Sequence, residues 1–371
     1  MSWFLTTPTI LRTCFAVSFV ALASTMVITS AAKADGAPQV VTDIAPVQAL
    51  VARVMQGVET PQRLVNTGDS AHALSLRPSQ AKAIQEADLI VWIGPDMSPW
   101  LEEAVESLSS NGRSMALMAL PQTSILPFRE DAVFDHDEHH DDHHDEHGKE
   151  HDDHHDEHGK EHDDHHDEHH DEHGKEHDEH HDEHAKHDDH AGHHHDGDDP
   201  HVWLDPENAK TWLSAIAVAL ADIDPVHSDL YAANAAAGAD EIDAAMAPLA
   251  TRLASVKDRP FMVYHDAYQY FEAYFGLQAI GAVSASDAAE PGPARLAAIA
   301  DLVADKAADT GSQVCILVAP NESDRFLASL EGNVRAVRAA PFGTAKRGEA
   351  ETRYDLIMAT LADAVADCLE G

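Results

Sequence analysis

Along residues 39–120, apolar and β-branched runs alternate with stretches whose apolar positions recur at helical spacing. Strands are predicted over 39–44, 63–67, 88–93 and 114–118, with helices over 45–58, 79–87 and 98–109 between them. A half-exposed strand would alternate with polar residues. These runs are almost continuously apolar, so each is read as a strand of a parallel sheet covered on both faces by crossover helices. The same order returns toward the C-terminus: 261–264, 278–283, 313–318 and 334–337 are strand-like, and 267–275, 294–308, 323–330 and 351–369 are helical. The expectation is an α/β fold of two βα lobes, each with a four-stranded parallel sheet.

Between the lobes, 207–220 and 225–256 are helical in pattern, with Ile242, Ala245, Met246, Leu249, Leu253 and Val256 on one face. From Pro225 to Pro248 such a helix would cover about 35 Å at 1.5 Å per residue. Pro248 is expected to kink or end it. The joint is therefore stiff, and the chain divides into a leader (1–34), an N-terminal lobe (35–224), a connecting helix (225–256) and a C-terminal lobe (257–371).

The leader pairs Arg12 with an apolar run over 15–28 and ends in Ala32-Lys33-Ala34, a small-x-small cleavage site. The run falls short of the ~20 residues that span a bilayer, so export with cleavage is expected rather than anchoring. Cys14 lies inside the leader and lacks the small residues of a lipoprotein box. Maturation leaves Cys315 and Cys368, which in an exported protein form one disulfide or stay as two buried thiols.

Charge changes the picture. Asp plus Glu number 66 against 24 Lys plus Arg, a formal charge of −42, which argues against nucleic acid as a partner and for cations. Of 29 His, 25 lie between Asp135 and Asp199 together with 29 acids and 4 Lys. An 11-residue unit, EHGKEHDDHHD, occurs twice in tandem from Glu146 to Asp167, and the segment lacks Val, Ile, Leu, Phe, Trp, Tyr and Met. Nothing in it repays the entropy of ordering, so 135–199 is expected to be a disordered loop unless metal collapses it. A solubilising tract would not require a His at every second or third place, which points to metal capture.

Four His remain: His72, His201, His227 and His265. A single such His is ordinarily a hydrogen-bonded core or surface residue. Three of these four, however, follow strand C-ends: His72 after the second strand, His201 after the fourth, and His265 at the end of the fifth. In open α/β sheets that edge forms the ligand crevice, so facing lobes would bring the three together. Three imidazoles suit Zn²⁺, whereas a hard cation would want oxygen. His227, at the start of the connecting helix, fits no such place.

The stretches that carry these His are specific: His72-Ala73-Leu74-Ser75-Leu76-Arg77-Pro78-Ser79, Ala87-Asp88-Leu89-Ile90-Val91-Trp92-Ile93-Gly94-Pro95, His201-Val202-Trp203-Leu204-Asp205-Pro206-Glu207, and Tyr264-His265-Asp266-Ala267-Tyr268 with Tyr270-Phe271. Over most of the mature length the chain resembles the periplasmic zinc receptors of ZnuA type (metal-binding cluster A-I, or cluster 9) that serve ABC importers of Gram-negative bacteria. The resemblance implies two βα lobes joined by a rigid helix, Zn²⁺ as transported ligand held by His72, His201 and His265, and a His-rich loop near the cleft mouth. It also implies a Cys315–Cys368 disulfide, an inner-membrane ABC permease and its ATPase as partners, a periplasmic monomer and no enzymatic activity. Some relatives place a Glu directly before the first ligand, where this chain has Ala71. Manganese-binding relatives use two carboxylates from the second lobe, one of them where His265 stands, which speaks for zinc here. The fourth ligand stays open between water, a loop His and Asp324.

Two other functions follow from the same residues. A periplasmic metal buffer needs no permease, and a zinc-dependent hydrolase would exploit a zinc-bound water of pKa ~7. No H-E-x-x-H motif occurs, and Asp266 is the one acid adjacent to a ligand that offers itself as a base or as an orienting partner.

Overall fold

The computed structural model describes residues 36–66, 68–109, 112–134, 197–287, 289–330, 332–343 and 353–371. The expected leader (1–34) and residues 135–196 of the His-rich segment lie outside the described residues. Among the described residues no helix is long and apolar enough to cross a membrane.

The first lobe runs β1 (Val40–Thr42), α1 (Ala45–Val54), β2 (Gln62–Arg63), α2 (Pro78–Glu86), β3 (Leu89–Trp92), α3 (Pro99–Leu108), β4 (Arg113–Ala116), with parallel strands ordered β2-β1-β3-β4. Next come α4 (Pro206–Ile223) and α5 (Ser228–Leu253). The second lobe is β5 (Phe261–His265), α6 (Gln269–Phe275), β6 (Ala279–Ser284), α7 (Pro293–Thr310), β7 (Val314–Val318), β8 (Val334–Arg338) and α8 (Tyr354–Glu370), ordered β6-β5-β7-β8 and again parallel. Helices α2, α3, α4 and α7 each begin on a proline, whose missing N–H falls where a helix has no acceptor for it. Asp205 caps α4 by accepting the Glu207 N–H at 2.8 Å.

Both faces of each sheet are covered, as the apolar runs require. Leu89 and Val91 of β3 face one buried cluster and Ile90 and Trp92 another; Phe261 and Val263 of β5 and Met262 and Tyr264 divide in the same way. The inner faces of the two sheets share a single core with α1, α4, α5 and α8, in which Leu50, Trp212, Met246, Phe261 and Leu361 are all buried. The joint between the lobes is thus packed protein as well as helix.

The structure corrects or narrows the sequence reading in four places. Of the two outcomes expected at Pro248 an end is excluded, since helix α5 continues to Leu253. The proline is exposed, so the Ala244 carbonyl that loses its donor faces water, and Met246 and Leu253 hold the helix from the buried side. The predicted helix at 323–330 is a 3-10 turn, Asp324–Leu330. Residues 197–199 are placed rather than loose, since Asp198 forms an antiparallel bridge with Pro127. Finally, residues 126–134 form a strap with no counterpart in the predicted elements. It leaves the first lobe and lies antiparallel along the free edge of β6: Phe134 N–H donates to Ile280 O and Ala282 N–H to Ala132 O, both at 3.0 Å. Gly281 permits this approach, since a Cβ there would run into the Ala132 carbonyl oxygen. Cys315 of β7 and Cys368 of α8 are disulfide-bonded, their Cα atoms 5.6 Å apart.

Candidate metal centre

His72 stands in the loop between β2 and α2. The preceding carbonyl, that of buried Ala71, accepts Trp100 Nε1–H at 2.8 Å and Ser98 Oγ–H at 3.4 Å, which ties this loop to the start of α3. His201 opens the buried 3-10 turn Val202–Leu204 that leads into α4. Its backbone N–H and its Nδ1 both meet Asp199 Oδ1, at 2.9 and 2.7 Å. That contact assigns the proton to Nδ1 and leaves Nε2 as a bare lone pair. His265 ends β5, on the face that Phe261 and Val263 turn to the shared core. Its Nδ1 lies 3.6 Å from Glu322 Oε1, while Glu322 Oε2 accepts Ala319 N–H at 2.6 Å.

The three rings converge. Centroids are 5.4 Å apart for His72 and His201, 5.6 Å for His72 and His265, and 4.9 Å for His201 and His265. Their ligand atoms all lie within 4.8 Å of one another, a grouping found once among the described residues. Tetrahedral nitrogens at 2.0–2.1 Å from one ion would stand about 3.3 Å apart, so a small contraction of the trio would enclose a zinc ion. His201 Nε2 and His265 Nε2 are buried and find no hydrogen-bond partner among the described residues. A buried lone pair left bare is costly, and its usual explanation is a missing ion or water.

Burial, reinforced by the neighbouring imidazoles, holds His201 and His265 well below the ordinary 6.5, so both are neutral and ready to ligate at pH 7. Burial pushes Asp199 and Glu322 up to about 7, against the backbone N–H groups that favour their ionised forms. A dication on the far side of each ring would draw these carboxylates back toward ionisation, the arrangement in which a carboxylate raises the basicity of a ligating His. Trp203 packs on His201 with ring centroids 5.2 Å apart and keeps that side of the site apolar.

The remaining sequence candidates go elsewhere. His227 Nδ1 pairs with Asp224 at 2.6 Å, at the joint of α4 and α5. Asp266 is bound through both oxygens by Arg129 of the strap. The side chain of Asp324 lies outside the described residues. Asp199, Glu322 and Arg129 were not among the predicted residues. Asp199 is the last of a run of acids, and only its place two residues before His201 marks it; Glu322 stands in Asn321-Glu322-Ser323-Asp324, just after β7, where nothing in the local sequence prefers it to Asp324.

Two parallel-sheet lobes with a cleft that gathers three imidazoles define a metal-receptor type of solute-binding protein. Residues 40–368 match the family model of the periplasmic component A of the zinc-uptake complex, ZnuA, and the chain belongs to that family. It is 43% identical to the high-affinity zinc uptake system protein ZnuA of Paracoccus denitrificans over 335 residues, 90% of this chain and 92% of that one. It is 36% identical to the protein of the same name from Brucella abortus, over 89% of this chain and 91% of the relative. A crystal structure of ZnuA matches with a TM-score of 0.62 at 19% identity, covering 90% of this chain and 99% of that one, a likeness of fold. The resemblance drawn from the sequence motifs is borne out.

Proposed function

We propose that the protein captures Zn²⁺ in the periplasm between His72, His201 and His265 and delivers it to an ABC permease driven by its ATPase. One observation carries this reading: three imidazoles from both lobes converge, two of them held neutral with buried, bare Nε2 atoms. Nitrogen donors of this kind select zinc over hard cations. The first lobe supplies two ligands and the second one, so the ion is bound tightly only while the lobes face each other. Asp199 and Glu322 are occupied on the Nδ1 sides of the rings, which leaves the fourth position to water, a loop His or Asp324. Residues 1–34 serve as the removed leader, 35–224 and 257–371 as the lobes and 225–256 as the joining helix. The His-rich insert collects further ions weakly, since each must also order the chain around it. The insert's capture role ends at 196, because Asp198 and Asp199 belong to the scaffold. The family is one of receptors, and the base that the sequence offered to a hydrolase, Asp266, is engaged by Arg129.

Chelator competition on the full chain tests the site. The parent should hold one ion far more tightly than the rest, and His265→Ala should lose that event by more than about 100-fold, beyond the 10–100-fold typical of removing an orienting partner. Equal affinity of the two would rule the site out. Delivery is tested by adding zinc-loaded protein to its permease and ATPase in vesicles; no stimulation of ATP hydrolysis would leave only a buffer.

A further inference from the structure

The strap places one cation behind the candidate metal centre. Arg129 Nε donates to Asp266 Oδ2 at 2.9 Å and Nη2 to Asp266 Oδ1, while Nη1 and Nη2 reach Glu272 Oε2 and Oε1 at 3.1 and 2.9 Å. Both carboxylates are buried, and the guanidinium stacks 4.0 Å over the Phe134 ring. Asp266 directly follows His265. Glu272 lies in α6 and also accepts Ala279 N–H at 2.9 Å, so this one side chain ties together the end of β5, α6 and the start of β6. The same strap holds the partner of His201. Leu126 O accepts Asp199 N–H at 2.9 Å, and Tyr270 OH accepts Leu126 N–H at 2.8 Å while donating to Asp199 O at 2.9 Å.

We propose that Arg129 is a positioning residue of the zinc site: its planar fork fixes the backbone that aims His265 and anchors the strap that holds Asp199 against His201. The proposal rests on the three-histidine reading above. Arg129 touches no ion; it acts through Asp266 and the strap. Charge alone predicts the opposite effect, since removing a cation close behind the site would tighten binding of a dication. Positioning predicts weaker binding, and it predicts that Lys, a point charge without a fork, cannot replace Arg.

The test compares the full-length parent with Arg129→Met, Arg129→Lys and His265→Ala. Three quantities are measured: tightest-site zinc affinity by chelator competition, the visible spectrum of the first equivalent of Co²⁺, and far-ultraviolet circular dichroism. Both Arg129 variants should weaken the tightest site 10–100-fold, the range seen when an orienting partner is lost, and should lower the tetrahedral Co²⁺ bands with the fold intact. If Arg129→Met does not fold, Arg129→Lys decides. Parental affinity and spectrum in a folded Arg129 variant, tighter binding, or full rescue by Lys would each overturn the positioning role. Loss of the site in His265→Ala with unchanged Arg129 variants would sink this proposal alone. Retention in His265→Ala would sink the three-histidine reading and this proposal with it.

Discussion

Asp199 and Glu322 flank the two most deeply buried imidazoles, and the four groups respond to acid in opposite senses. In the folded protein His201 and His265 stay neutral well below pH 6.5, whereas in the unfolded chain they take up protons near that value. Their contribution to the stability of the metal-free protein is complete above about pH 6.5 and is lost as pH falls below it. Asp199 and Glu322, at about 7 against ordinary values of 3.8 and 4.5, bind protons first in the folded state and so return stability as pH falls from about 7 toward 4. Zinc requires the neutral rings. Its affinity should already fall as pH drops through about 7, where Asp199 and Glu322 take up protons that the ion must displace, and fall further where His201 and His265 protonate, below their ordinary 6.5. Chelator competition from about pH 8 to 5 checks it, and a flat profile would exclude an ion held by rings that these two carboxylates back. At this scale the convergence of the three histidines was legible because each follows a strand end, a position set by local pattern. Their partners were not: Asp199 is one acid among many in the sequence, and the contact of Arg129 with Asp266 spans 137 residues with no periodicity to announce it.

At the scale of elements, nearly continuous apolar runs marked the strands because both faces of each sheet are covered. Legibility failed where long-range packing overrides local preference. Pro248 is tolerated because tertiary contacts on the opposite face of α5 outweigh one missing hydrogen bond. The strap pairs with β6, whose sequence lies well over a hundred residues away. The disulfide ties β7 to α8 across a separation of 53 residues. By the chain-entropy account, a closed loop of that length stabilises by ~4 kcal/mol, an upper figure. The Cys315→Ser/Cys368→Ser pair should therefore unfold at lower urea, by up to that amount, with zinc affinity unchanged because neither cysteine touches the histidines. An unaltered urea midpoint would show that the crosslink constrains little.

Over the whole molecule, the lobes are not beads on a rod. Their inner faces share one core, and the chain visits the second lobe along the strap before returning through 197–205 to α4, then leaves for good along α5. This interlacing makes the protein a natural candidate for fragment complementation. The insert contains Lys149, Lys160, Lys175 and Lys186 in a sequence with no apolar side chain larger than Ala, and such polar tracts are where proteases cut first. A brief tryptic nick there would yield two pieces. The N-terminal piece would keep β1 to β4 and the strap, and the C-terminal piece would keep everything from His201 onward, with the disulfide inside it. Neither piece has a complete core. The strand laid on β6, the Arg129 fork and the packing of α1 on α5 would nevertheless hold them as one particle that elutes intact and still binds one zinc ion tightly. Separation of the pieces on a sizing column without denaturant would contradict this. The two segments that enter and leave the insert, bridged at Pro127 and Asp198, would then act as the sewn edges of a protein that stays closed after its thread is cut.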